Sequence, residues 1–509
     1  MVTSVRETER KYEAPTGVAL PTWDGLPGVA GVSGPDEVLL DAEYHDTEDL
    51  RLARAGVTLR RRTGGEDAGW HLKLPAGADT RDELGVPLGP EHQRPPEELT
   101  SLVRARTRGA RLLPVARIAT RRSRWRLTGD TGQLLAEVVA DQVTASVLSG
   151  PSKQDEWREV EVELGADADP GLLDAVEDRL VAAGLHRSTR SAKLARVLGD
   201  RLTPATPARV PVDAATAGGT VLAYLRDQVA AVYRLDPAVR RGLPDAVHQQ
   251  RVAMRRLRSA LQAFGRVVDR ERTRDLTDEL RWAAGVLGAA RDLEVLADRL
   301  EQAVAALPDD LVVGPVRAQL TRHFAPGQAA AQQAVLAALD SPRYSALLDR
   351  LDALLVDPPF TPRAALPAED VLPAQVARAD RRLRRRMRAV GETGSAGADR
   401  DVALHEARKA AKRLRYAVEV VEPLVGRRAV RFRKRVKAVQ QVLGDHQDGV
   451  LARPLLRQLG MRSQLEGENG FTFGLLHGRE LSRADQVLTT LARPWRRLAK
   501  PRVRRWLTS

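Results

Sequence analysis

A chain of 509 residues and 55.7 kDa, 43% hydrophobic and 29% charged, is globular rather than disordered, and at ~100–200 residues per domain it divides into roughly two to four units. It has no cysteine, which excludes disulfides and Cys-ligated zinc; no apolar run long enough to span a bilayer or serve as a leader after MVTSVRETER, so a cytoplasmic location is expected; and only 4% aromatic residues, which argues against base stacking. The net charge of +14 is uneven, because residues 1–200 carry 27 Lys and Arg against 33 Asp and Glu, which leaves +20 on the remainder, a field that attracts nucleic acid, polyphosphate or an anionic membrane.

The first element carries the sharpest signal. Glu7, Glu9 and Lys11 form an ExExK run whose alternation puts two carboxylates and an ammonium on one face of a strand. No apolar core tolerates such a face unpaired. Further short alternating segments follow at Val5–Tyr12, Val57–Arg62, Gly69–Leu74, Ala116–Leu127, Leu134–Val139 and Trp157–Leu164, punctuated by Gly64-Gly65 and the turn TGDTG at 128–132. They predict a largely antiparallel β domain with a few helices, one over Pro170–Gly184. Thr203–Gly219 is rich in Pro, Ala, Thr and Gly and reads as a linker. Beyond it the apolar spacing becomes 3.6, which predicts an all-helical second half.

That half repeats itself. AVHQQRVAMRRLRSALQAF at 246–264 and ALHEARKAAKRLRYAVEVV at 403–421 share the pattern His-x2-Arg-x3-basic-Arg-Leu-Arg. Val286-Leu287-Gly288 then precedes Asp292 as Val442-Leu443-Gly444 precedes Asp448, with 40 and 39 residues from His to Gly. A duplicated helical bundle follows. On a helix, His248, Arg251, Arg255 and Arg258 fall within a stripe of roughly 80°, and His405, Arg408, Lys412 and Arg415 repeat it. Additional cations stand at Arg381, Arg382, Arg384, Arg385 and Arg386 and at Arg431, Arg433, Lys434 and Arg435.

In chain order the first 200 residues show ExExK; Tyr44, Asp46 and Thr47; Leu59-Arg60-Arg61-Arg62; His71-Leu72-Lys73-Leu74-Pro75; Arg81 and Glu83; Arg117, Thr120, Arg122 and Arg124; Glu137 and Asp141; Glu159, Glu161 and Glu163; and Arg187, Ser188, Ser191 and Lys193. This order resembles the CYTH family, the triphosphate tunnel metalloenzymes. The resemblance implies an eight-stranded antiparallel barrel that encloses a divalent metal and a triphosphate. Physical reading agrees, since a small barrel lined by both signs of charge must hold water, ions and a ligand rather than apolar packing. Carboxylates suit Mg²⁺ or Mn²⁺, and Arg forks suit phosphate oxygens. On this basis Lys11, Arg60, Arg62, Lys73, Arg81, Arg117, Arg122 and Lys193 are expected to hold substrate. Glu7, Glu9, Glu161 and Glu163 are expected to hold metal, with Glu137 and Asp141 as further candidates, and Glu7, Glu9, Lys11 and Lys73 to carry catalysis. Lys193 and Ser191 are expected either to close one tunnel end or to form a basic helix cap.

The second half resembles the CHAD family, the helical domain named for its histidines, and the resemblance implies two pseudo-symmetric bundles that bind inorganic polyphosphate through the two basic stripes. The histidines are expected to act as phosphate donors or as helix-end hydrogen-bonding groups, and a metal role is not expected of them. The whole is expected to be an α+β chain: residues 1–202 an eight-stranded barrel tunnel with flanking helices, 203–219 a linker, 220–509 an all-α duplicated bundle. The expected activity is metal-dependent hydrolysis of inorganic triphosphate or a related triphosphate beside a polyphosphate-binding module, located in the cytoplasm at polyphosphate granules. The alternatives are a non-catalytic polyphosphate-binding protein, an adenylate cyclase, and non-specific DNA binding by the basic half.

Overall fold

The computed structural model describes residues 2–15, 17–89, 94–148, 154–190, 192–202, 213–392 and 397–507. The chain divides into two compact units, Met1–Pro207 and Ala208–Ser509.

The first unit is a closed antiparallel barrel of eight strands: β1 (Thr3–Glu13), β2 (Gly31–Asp46), β3 (Thr58–Thr63), β4 (Gly69–Pro75), β5 (Thr80–Pro87), β6 (Leu113–Thr128), β7 (Leu134–Val147) and β8 (Gln154–Leu164). They run around the wall as β5-β4-β3-β2-β6-β7-β8-β1, and β1 closes the circuit on β5. Register decides which faces point inward. Lys11 stands opposite Glu161, Glu7 opposite Arg81, Arg60 opposite His71 and Arg122 opposite Asp141, so four charged faces meet in the lumen.

The apolar residues of the same strands therefore point outward and need cover. Tyr12, Val138, Val160 and Val162 pack under the helix Gly171–Ala182, against Leu172, Val176 and Leu180. Leu59, Trp70, Leu72, Leu84 and Val86 pack under Leu52, Leu99 and Val103. Burying each such side chain contributes about 1.5–3 kcal/mol, and this outer shell replaces the core that a small barrel ordinarily keeps inside. One end of the lumen is apolar, where Tyr44, Ile118, Val143 and Trp157 meet Leu194, Val197 and Leu198 of the helix Lys193–Leu198. That helix plugs the end and places Lys193 inside.

The second unit is all-helical. Its halves run Ala217–Arg240, Ala246–Ala263, Arg274–Ala305, Val316–Asp340, Pro342–Val356 and then Ala368–Glu392, Ala398–Val425, Arg427–Leu465, Phe471–Asp485, Val487–Ala499. The first helix starts at Ala217, inside the stretch read as linker, because the Thr216 hydroxyl accepts from Gly219 N–H and caps it. Residues 203–212 of that linker lie outside the described ones. Ala246–Ala263 packs between its two neighbours, Ala398–Val425 does the same in the second half, and these two basic helices also meet each other. The far ends of the long helices share a core of Leu300, Val304, Phe324, Leu456 and Phe473.

Candidate functional site

The barrel encloses a cavity of ≈ 340 Å³ lined by Glu7, Glu9, Lys11, Arg60, Arg62, Lys73, Arg81, Glu83, Arg122, Arg124, Glu137, Glu161, Glu163 and Lys193 among others. Its inner end is an ammonium cage. Lys193 Nζ lies 2.9 Å from Asp141, 2.6 Å from Glu159 and 2.8 Å from Glu161. The three carboxylates place one oxygen each within 4.8 Å of one another, a spacing that suits a cation, and the lysine supplies it. Glu161 also accepts from Lys11 and, at 3.2 Å, from Arg122. Burial works to raise the Glu161 carboxyl, but Lys11, Lys193 and Arg122 outweigh it and hold it well below the usual range.

Nearer the mouth the balance reverses. Lys73 donates to Glu7 at 2.5 Å and lies 3.1 Å from Glu83, and His71 Nδ1 is 2.7 Å from Glu83. Glu9 is held by Lys11 at 3.0 Å and Arg81 at 3.2 Å; burial works to raise its pKa, but Lys11 and Lys73 overcome it and lower it. Glu7, by contrast, is pushed up to about 8, first by burial and then by its hydrogen bond to Glu83, against the opposing pull of Lys73. Glu163 is raised by burial too, and has no ion-pair partner among the described residues. Thus Glu163, with no ion-pair partner among the described residues, stands near Glu7, whose cationic partner is Lys73. A hard divalent cation fits there on donor chemistry and on charge. Across the lumen, burial and then the neighbouring Arg60 and Arg122 push the Arg62 pKa down to about 9, although its guanidinium pairs with Asp67.

The four expected metal ligands therefore separate. Glu9 is paired with Lys11 and Arg81, and Glu161 with Lys11, Arg122 and Lys193, whereas Glu7 is paired with Lys73 alone and Glu163 has no ion-pair partner among the described residues. Lys11, Arg60, Arg62, Lys73, Arg81, Arg122 and Lys193 all line the cavity. Arg117 does not. It lies on the outer face of β6, paired with Asp41 on the neighbouring strand and 61% exposed. The reason is parity: Ile118, Thr120, Arg122 and Arg124 face the lumen, and a strand sends odd positions the other way. Ser191 lies outside the described residues. Of the further acidic candidates, Asp141 belongs to the lysine cage and Glu137 accepts from Arg126 at 3.2 Å. Two wall residues had no role assigned from sequence, Glu83 and Arg124. Each follows an assigned residue by two on its strand, so the alternation that found Arg81 and Arg122 also points to them. Asp46, by contrast, is structural: its carboxylate accepts from the N–H groups of Thr47, Leu52 and Ala53.

In the helical unit the two basic stripes converge. Arg251 pairs with Asp292 at 2.9 Å and Arg408 with Asp448 at 3.6 Å, the same contact in each half. Arg255 crosses to the second half and donates to the Tyr416 hydroxyl at 2.6 Å. Lys412 is pushed down to about 7, first by burial and then by Arg408, Arg255 and Arg251. Arg258 lies farther along, near Arg281 and Arg413, and Arg415 stacks on Tyr416 at 4.7 Å while it reaches Glu419 at 3.6 Å. The histidines differ: His405 Nδ1 is 2.8 Å from Gln447 Oε1, whereas His248 is lowered by burial among Arg291, Arg255 and Arg251, with Asp245 opposing.

The repeated glycines serve this groove. A Cβ on Gly288 would stand 3.0 Å from the Arg251 guanidinium, and one on Gly444 3.7 Å from Arg408. Gly444→Ala is therefore expected to stabilise the helix by roughly 0.5–1 kcal/mol with polyanion affinity unchanged. Gly288→Ala should displace Arg251 and weaken binding about threefold to tenfold, as titration with polyphosphate would show.

Lys412 gives a pH signature. Its folded pKa of about 7 lies below the unfolded value of 10.5, so the unfolded chain binds more protons between those limits and stability from this group rises with pH across that window. A polyanion favours the charged form, so binding at pH 8 should take up nearly one proton. Calorimetry in buffers of different ionisation enthalpy reads it, and Lys412→Met should abolish the uptake.

Among the described residues no helix is long and apolar enough to cross a membrane. The CYTH domain family matches residues 5–195 and the CHAD domain family residues 223–457. Two uncharacterised proteins of Mycobacterium tuberculosis, from two strains, are each 39% identical over 510 residues, which covers 97% of this chain and 96% of theirs. Among solved structures, PptA from Streptomyces chartreusis is similar with a TM-score of 0.47 and 23% identity over 55% of this chain and 99% of its own. The CHAD domain from the plant Ricinus communis is similar with a TM-score of 0.42 and 25% identity over 57% and 96%. The two domain matches and the full-length likeness to the mycobacterial relatives lead to one conclusion: the chain belongs to the CYTH–CHAD proteins, a CYTH domain of the triphosphate tunnel metalloenzyme type followed by a CHAD domain.

Proposed function

We propose that the barrel hydrolyses inorganic triphosphate, or a closely related triphosphate, with Mg²⁺ or Mn²⁺, and that the helical domain binds inorganic polyphosphate and keeps the enzyme near it. One observation carries the first part. The chamber gathers Lys11, Arg60, Arg62, Lys73, Arg81 and Arg122 around buried carboxylates, of which Glu163 has no ion-pair partner among the described residues, and a polyanion bound with a divalent cation suits both kinds of group at once.

The chain's own groups then have defined work. Arg60, Arg62 and Arg122 take phosphate oxygens by their planar forks, and Lys11 and Lys73 meet them as point charges. As the phosphoanhydride bond lengthens, charge gathers on oxygens already facing these fixed donors, so little reorganisation is needed. Glu9 and Glu161 orient Lys11, and Glu7 and Glu83 orient Lys73. Glu7 and Glu163 would hold the metal, which would supply Lewis-acid neutralisation of phosphate charge for in-line attack by water. No side-chain nucleophile is required.

The test is a metal-by-substrate screen on the purified chain. Orthophosphate should appear from tripolyphosphate with Mg²⁺ or Mn²⁺ and cease with EDTA. Tight retention without turnover would support the non-catalytic reading, and a cyclic product from ATP the cyclase. For the helical domain, polyphosphate should outcompete duplex DNA, with affinity falling as salt rises.

A further inference from the structure

The inner end of the chamber is closed by the helix Lys193–Leu198 and its apolar contacts, while Arg62, Arg124 and Glu137 lie at the other end. If triphosphate enters terminal phosphate first, hydrolysis places orthophosphate behind the remaining pyrophosphate. The wall offers it another way out.

β1 pairs with β5 only as far as Thr8, opposite Thr80. Past that point its free edge is covered by loops: Glu9 N–H donates to Asp79 O at 2.8 Å, Ser188 N–H donates to Lys11 O at 2.8 Å, and Tyr12 and Glu13 pair with His186 and Arg187. A second cavity of ≈ 240 Å³ lies at this seam, and it shares Glu9, Lys11 and Arg81 with the phosphate chamber. Five cations face it, Arg10, Lys11, Arg81, Arg187 and Arg190, against Glu9 and Asp79. Arg10 is committed to Asp174 and Glu177 at 2.7 and 2.8 Å. Arg187, however, reaches Asp79 at 2.6 and 2.7 Å while 43% exposed, a surface ion pair that can exchange one anion for another. Arg190 has no carboxylate partner among the described residues.

We propose that the seam pocket is an orthophosphate site and the route by which that product leaves the barrel. The inference rests on the hydrolytic reading above. Phosphate arrives at Lys11 and Arg81, which face both cavities, and is drawn outward as Arg187 exchanges the carboxylate of Asp79 for a phosphate oxygen and Arg190 adds a second guanidinium.

Product inhibition tests it. Orthophosphate that binds at the seam can do so while triphosphate fills the chamber, so it should inhibit tripolyphosphate hydrolysis with a noncompetitive component. Arg187→Glu, and separately Arg190→Glu, should weaken that component about tenfold and leave the KM for tripolyphosphate unchanged. Purely competitive inhibition of the wild type, or a noncompetitive component that neither variant alters, overturns the proposal. If the wild type releases no orthophosphate, the hydrolytic reading has failed on its own. Equilibrium dialysis of labelled orthophosphate against the full chain then decides the site, which requires one bound phosphate lost in Arg187→Glu and retained in Lys73→Gln; retention in both rejects it.

Discussion

Glu9→Gln should lower metal-dependent phosphate release from tripolyphosphate by about 10²–10³-fold, measured as orthophosphate formed at saturating substrate. Glu9 is 8% exposed and lies between Lys11 at 3.0 Å and Arg81 at 3.2 Å, so its charge fixes two cations that face the phosphate chain. An amide of the same shape keeps the volume, removes the charge, and presents an N–H₂ group to at least one of those cations. The phosphate donors then lose their positions at the moment charge builds up, and turnover suffers more than binding. Arg117→Ala is the matched control. Its side chain pairs with Asp41 on the outer face of the barrel, and turnover should stay within about twofold of the wild type, as expected for a surface pair. Unchanged turnover in Glu9→Gln would remove Glu9 from the site, and a large loss in Arg117→Ala would restore the arginine to it.

Lys193→Met should destabilise the barrel by about 3–5 kcal/mol, the cost of removing one partner from a buried ionic cluster. The ammonium lies within 3 Å of Asp141, Glu159 and Glu161, and its burial is outweighed by those carboxylates, which raise its pKa well above the usual lysine range. Methionine fills much of the same space and leaves three carboxylates facing one another. Their oxygens already converge within 4.8 Å, so millimolar Mg²⁺ or Ca²⁺ should recover part of the loss by binding the folded state alone. Denaturant titration with and without the cation reads both effects. A melt identical to the wild type in EDTA would show that the cage is not held by this lysine.

Alternation carried most of what the sequence disclosed. Glu7, Glu9 and Lys11, the pair Arg60 and Arg62, and Glu161 with Glu163 each share a face by period, and the closed barrel brings those faces together. The same rule separates Arg117 from Arg122, which stand five apart and so on opposite faces. The charged motif obscured that parity. β2 and β5 were hidden for a different reason: Gly31–Asp46 contains Gly34-Pro35 and a run of exposed residues, and Thr80–Pro87 follows a turn-rich stretch, so neither shows strand-like hydrophobicity. The plug helix showed in the sequence only as Lys193 at a tunnel end or helix cap, because Leu194, Val197 and Leu198 gain meaning only against Trp157 and Tyr44, far away in the chain. In the second half, the repeat located both basic stripes, but the meeting of Arg255 with Tyr416 is a tertiary fact that no local period encodes.

The inverted barrel, charged within and apolar without, also bears on how the chain assembles. A slip of one residue in β1 would turn Tyr12 into the lumen and Glu9 and Lys11 toward Leu172 and Val176, so a misregistered closure is penalised on both faces at once. Until β1 closes on β5, one unpaired edge carries Glu7, Glu9 and Lys11 and the other Arg81 and Glu83 at alternate positions, which makes each a poor template for pairing with another chain. The side chains proposed to grip phosphate in the finished protein therefore serve first as safeguards against aggregation, before any substrate is present.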